Sequence, residues 1–194
     1  SKMEYKTYTI GLFIVLFEFS FCFGEFKRDA IDNNSNSLQA KVIMYADKQL
    51  KRNLPLSDDS SINTVLVYKQ IVNGINYKLF TVVRDKGFLE LFETVVYTGP
   101  FSKENKERFE IISREKVNMK SELNDELNNS VRRSIFEKTG CILSSISYVN
   151  VYSTTQSGDE ILLVEFGYRK SESRPSVIMF VKNKNRSEYI FYEY

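Results

Sequence analysis

The chain has 194 residues, 42% of them hydrophobic, and its 27 Lys and Arg against 25 Asp and Glu leave a net charge of +2. That length and apolar content suffice for one ordinary domain or two small ones, and so even a balance carries no electrostatic footprint of a nucleic-acid or anionic-membrane partner. Histidine is absent, which removes Ser-His and Cys-His catalysis and the commonest zinc ligand, so no catalytic residue, metal or cofactor is expected.

The N-terminus has the layout of a processing signal. Met3 reads as a start, Lys6 supplies a positive end, Ile10 to Phe17 is apolar apart from Gly11, and Cys22-Phe23-Gly24 offers small residues for cleavage. We expect residues 1–24 to be removed on secretion, leaving an extracellular chain with no membrane attachment. Glu18 ends the apolar run well short of the roughly 20 residues a membrane helix needs. A retained hydrophobic anchor and a buried helix of the fold are the other readings. Loss of Cys22 would leave Cys141 without an internal disulfide partner, and its place after Gly140 at the start of an apolar stretch suits a buried, inert thiol. In a secreted chain, the Asn-x-Ser triplets beginning at Asn33, Asn128 and Asn185 are candidate glycosylation acceptors.

Asp29 to Ser37 is polar and rich in Asn and Ser, and is expected to be a flexible lead-in. From Ser37 to Arg52, Leu38, Val42, Ala46 and Leu50 recur at helical spacing, with Ile43 and Met44 widening the apolar stripe. Asn36 or Ser37 can cap the start, basic residues occupy the end favoured by the helix dipole, and Leu54-Pro55 stops the pattern. Strand signals follow over 63–72 and 75–84, joined by Asn73-Gly74. Asn-Gly between two such runs predicts a tight hairpin, because its turn needs positive φ, which Gly adopts freely and Asn tolerates. Asp85-Lys86-Gly87 predicts the next turn, 88–97 a third strand and 109–117 a fourth, with a break at Gly99-Pro100-Phe101.

The second half repeats the layout. A helix is predicted over 121–138, with Leu123, Leu127, Val131 and Ile135 on one stripe and Thr139-Gly140 at its end. Strands are predicted over 142–154, 160–168, 176–182 and 188–194. The expected fold class is therefore α+β: two units, residues 25–118 and 119–194, each an antiparallel sheet of four to five strands wrapped on one α-helix and hiding one face of each element.

The run Gln70-Ile71-Val72-Asn73-Gly74, followed by Ile75-Asn76-Tyr77, resembles the Gln-x-Val-x-Gly signature of the cystatin superfamily of cysteine protease inhibitors. Gly99-Pro100-Phe101 falls where that family carries its second binding hairpin. The resemblance covers about residues 37–117, and as a layout the second half too. It implies a reversible, monomeric inhibitor of papain-like, cathepsin-type proteases, made of two cystatin-like domains with the second degenerate. Its contact residues would be Gln70, Ile71, Val72, Asn73, Gly74, Gly99, Pro100 and Phe101, wedged beside the catalytic cysteine. Val72 and Ile71 would bury apolar surface, Gly74 would permit close approach, and Phe101 would be an aromatic anchor. An N-terminal trunk with a glycine is the family's third contact, but no glycine lies between Glu25 and the helix, and Gly24 closes the segment expected to be removed. The second half reads Ser153-Thr154-Thr155-Gln156-Ser157-Gly158 at the equivalent hairpin, polar where an apolar wedge is needed. Two other functions fit the layout: a non-inhibitory cystatin-like binding module, and a latexin-like carboxypeptidase inhibitor.

Overall fold

Helix α1 (Leu38–Asn53) starts at Ser37, whose hydroxyl accepts a hydrogen bond from the Ala40 amide at 3.1 Å and so satisfies one of the orphan donors of the first turn. Lys51 and Arg52 lie in its last turn, and the Leu54 amide closes it on the Leu50 carbonyl. The side chains it buries are Gln39, Val42, Ala46 and Leu50. Met44, predicted to widen the apolar stripe, is 66% exposed, because it sits two positions from Val42 and from Ala46 and so points away from both. Replacing Ser37 by alanine is expected to lower the urea unfolding free energy by about 1 kcal/mol, the usual worth of such a cap.

This is a computed structural model describing residues 24–86, 88–100, 108–121, 125–140, 146–156, 159–168, 176–183 and 186–192. The expected processing signal up to Phe23, together with Phe101, Cys141 and Asn185, lies outside them. No helix among the described residues is long and apolar enough to cross a membrane. The chain divides into two compact units, residues 1–115 and 116–194.

In the first unit, β1 (Lys27–Asp29), β2 (Ser61–Val72), β3 (Gly74–Asp85), β4 (Phe88–Thr98) and β5 (Phe109–Lys116) form one antiparallel sheet in chain order. Val42 and Ala46 of α1 pack on Val67, Tyr77, Leu79 and Val96, while Leu50 packs on Val83 and Phe92. Each Val, Leu or Phe among them, fully buried, stabilises by about 1.5–3 kcal/mol. Burial exceeds the one-faced expectation: Thr64 to Tyr68 and Leu79 to Val83 are unbroken buried runs, with Tyr68 and Phe80 in edge-to-face contact. Strands buried on both faces read as continuous rather than alternating apolar runs.

The stretch from Asp29 to Ser37 is also more ordered than its polarity predicts. Asp29 belongs to β1, and the buried Gln39 side chain donates to Asp29 Oδ2 and to the Ala30 carbonyl while accepting from the Asp32 amide at 2.7 Å. Asp32 and Asn34 each accept a hydrogen bond from the amide two residues on, forming successive Asx turns. These are local bonds that composition alone does not register. Asp85 ties the far end of the sheet to the loop after α1, accepting from the Ser57 amide and hydroxyl and from the Lys86 amide. Those bonds hold its carboxyl below the usual carboxylate range.

The second unit has β6 (Lys120–Ser121), α2 (Asp125–Thr139), β7 (Ile146–Gln156), β8 (Asp159–Tyr168), β9 (Ser176–Asn183) and β10 (Arg186–Tyr192), with the strands again in one antiparallel sheet in chain order. Val131 and Ile135 of α2 pack on Ile146, Val151, Val164 and Phe166. The helix ends as predicted at Gly140, whose φ of +69° suits glycine and whose amide bonds the Phe136 carbonyl. Ser121, predicted to open the helix, instead belongs to β6, paired with Tyr152. Both units are therefore α+β, and each sheet has five strands because short strands at Lys27 and Lys120 join the four predicted.

Candidate functional site

The hairpin of β2 and β3 forms where the sequence places it, but in a different register. A two-residue Asn73-Gly74 turn would pair Val72 with Ile75. The strands instead pair Ile71 with Ile75 and Val72 with Gly74, which centres the tip on Asn73. The buried face decides this. Val67 must lie opposite Leu79 for both to meet α1, and a shift of one residue would turn every side chain to the wrong side. The turn adapts to the register, with Gly74 at φ +117°, a conformation closed in practice to residues with a Cβ.

The second predicted segment joins the same end of the sheet. Thr98, the last residue of β4, pairs with Ile75, so Gly99 and Pro100 leave the sheet alongside the hairpin tip. Tyr97 links the two: its hydroxyl donates to the Asn73 carbonyl at 2.6 Å, and its ring lies where a Gly74 side chain would be. Thr98 is fully buried behind the tip, while Pro100 and Asn73 are exposed and Gly99 and Val72 half-buried. Ile71 is 70% exposed. Such an apolar side chain on a hydrogen-bonded tip keeps its transfer free energy available for a partner.

Gln70 does something the motif alone does not reveal. Its half-buried side chain donates Nε2 to the Gly24 carbonyl at 2.6 Å and accepts from Asn76 Nδ2 at 2.8 Å. The segment leading into β1 thus reaches the tip, with Gly24 beside the Ile71 carbonyl. Tyr97 is the residue that sequence reasoning missed here. Gly24, the glycine the trunk contact would need, closes the segment expected to be removed, while Tyr97 stands in an aromatic-rich strand with no pattern to single it out.

Residues 70–74, 99 and 100 carry no titratable side chain, which suits contact rather than proton transfer. Among the described residues no cluster of three His, Cys, Asp or Glu side chains is placed to hold a metal ion. Asn33 is exposed in the loop before α1, whereas Asn128 is half-buried in α2 with its Oδ1 shielded from solvent. In the second unit the hairpin of β7 and β8 pairs Gln156 with Asp159, and its flanking Thr155 is exposed and polar. Set against family models, curated proteins and solved structures, the chain matches none of them.

Proposed function

We propose that this chain is a secreted, reversible inhibitor of papain-like cysteine proteases, built as two cystatin-like domains of which only the first carries a wedge. The tip at Gln70 to Gly74 and the segment Gly99-Pro100-Phe101 enter the active-site cleft together. The observation that carries the reading is the convergence of an exposed Ile71, a glycine-shaped tip and the Gly99-Pro100 exit at one end of one sheet. A tip already hydrogen-bonded through Tyr97 loses little conformational entropy on docking. A narrow, uncharged edge of this kind fits an apolar cleft and offers no acid or base of its own.

The full chain at micromolar concentration is expected to slow papain cleavage of a fluorogenic peptide, with competitive kinetics. Ile71→Asp should weaken that inhibition about tenfold or more, since a charge then replaces apolar surface that binding would bury. A papain rate untouched by micromolar protein would overturn the proposal.

A further inference from the structure

The residues before β1 are fastened to the sheet at two points. The first is the Gln70 amide. The Gly24 carbonyl can only accept, so Gln70 turns Nε2 to it at 2.6 Å and presents Oε1 to Asn76 Nδ2, which donates at 2.8 Å. The second lies two residues further along, where the Lys78 ammonium sits 4.6 Å from the centre of the Phe26 ring. Lys78 is itself held by Glu93, with Nζ 3.5 Å from Oε1. Asn76 and Lys78 alternate along β3, so both contacts rise from the same face of the sheet. Between them they span the residues that β1, only Lys27 to Asp29, is too short to pair with β2.

We propose that Gln70, bonded by Asn76, and the Phe26–Lys78–Glu93 stack form a clamp that holds residues 24–26 against the hairpin tip before any partner binds. Resting on the inhibitor reading, with the processing cut placed before Gly24 rather than after it, this makes Gln70 a positioning residue of the wedge, with an effect exerted through Gly24. Each polar partner is needed. Without the Nε2 donor the Gly24 carbonyl has water instead, and without Lys78 the Phe26 ring loses its cation. The backbone ordering of this segment is then completed on folding, so a partner meets three prearranged pieces and no ordering cost remains for the third.

The test uses the full chain and two variants. Gln70→Glu preserves the shape of the side chain and the bond from Asn76, but turns an acceptor toward the Gly24 carbonyl. Lys78→Met preserves the length of the chain and removes the cation. Brief chymotrypsin treatment under native conditions, followed by mass spectrometry, reads the fragment that begins at Lys27. Its rate of appearance is expected to rise about fivefold in each variant, because local opening controls cleavage, while cleavage at aromatic residues within β2 to β4 stays as slow as before. In parallel, Gln70→Glu should weaken papain inhibition about 3- to 10-fold, mainly through faster dissociation. An unchanged Lys27 fragment in both variants, or a rise matched at every other aromatic site, would overturn the clamp. Failure of the unaltered chain to inhibit papain would instead count against the inhibitor reading, while the cleavage rates still decide the clamp.

Discussion

Gly74→Ala is expected to cost about 2–4 kcal/mol of stability, from a strained backbone together with overpacking at the tip, and to abolish measurable inhibition of papain. The cause is geometric. A Cβ at Gly74 would sit inside the van der Waals envelope of the Thr98 carbonyl oxygen, 2.8 Å from a ring carbon of Tyr97 and 2.9 Å from its hydroxyl. The φ of +117° adds strain for any residue with a side chain. Relief requires either the end of β4 to retreat or the Tyr97 ring to swing out, and the ring cannot leave without losing its bond to the Asn73 carbonyl. Both movements separate the hairpin tip from Gly99 and Pro100.

Gly99→Ala is the matched control. A Cβ there meets nothing closer than the Tyr97 ring at 3.8 Å, an ordinary contact. It should leave stability unchanged or raise it by up to about 1 kcal/mol, through the smaller entropy of the unfolded chain. Urea unfolding of the two variants measures the contrast, and the papain inhibition constant of Gly74→Ala against the parent chain measures its loss of binding. Equal behaviour would mean that the tip tolerates a side chain and that the close packing around Gly74 is not what shapes it.

The second large effect concerns Asp47, in a polar cluster between α1 and the sheet. Its Oδ1 accepts from Thr64 Oγ1 at 3.2 Å, and that hydroxyl lies 2.9 Å from Thr81 Oγ1. Arg114 of β5 donates to Thr94 Oγ1 and to the Ala46 carbonyl beside Asp47. Burial pushes the carboxyl of Asp47 up from 3.8 to about 6, against the opposing pull of the Thr64 hydrogen bond and the Arg114 charge. The unfolded chain releases this proton near its ordinary value, whereas the folded chain keeps it until about 6. Between those values the folded state binds the extra proton, so the stability contributed by this site falls as pH rises from 4 to 6 and stays low above it. The ceiling of that loss is about 3 kcal/mol at roughly 1.4 kcal/mol per pH unit.

Asp47→Asn keeps an acceptor for Thr64 and removes the charge. It is expected to stabilise the protein at pH 7 by about 1–3 kcal/mol, to change little at pH 4, and to flatten the slope between. Urea unfolding at four pH values across this window is the measurement. An identical slope in variant and parent would place the titration elsewhere.

Local patterns carried much of the architecture. The 3.6-residue stripe of Val42, Ala46 and Leu50 predicted α1, and Asn73-Gly74 predicted the hairpin, because a helix stripe and a positive-φ turn are properties of short stretches of chain. The same reading failed where a distant partner supplied the order. Nothing between Asp29 and Ser37 suggests a rigid segment until Gln39 is folded back on it. Strands as short as β1 and β6 have too few residues for alternation to show, and exist because a longer neighbour offers them hydrogen bonds.

The candidate site divides along the same line. Gln70 to Gly74 and Gly99-Pro100 could be singled out from residue identity, since glycine and proline restrict or free the backbone wherever they occur. That the two segments leave the same end of one sheet follows from the pairing of Ile75 with Thr98, a contact across 23 residues of chain. The register of the tip was settled by Val67 and Leu79 beneath α1, far from the turn they control. Gly24 and Tyr97 gained their places only through hydrogen bonds made across the fold, to Gln70 and to Asn73. Sequence by itself determined which residues could turn tightly and which faces wanted burial, because those preferences belong to single residues and short repeats. Tertiary structure alone decided which loops meet and in what register, because that depends on which of several apolar faces pack together.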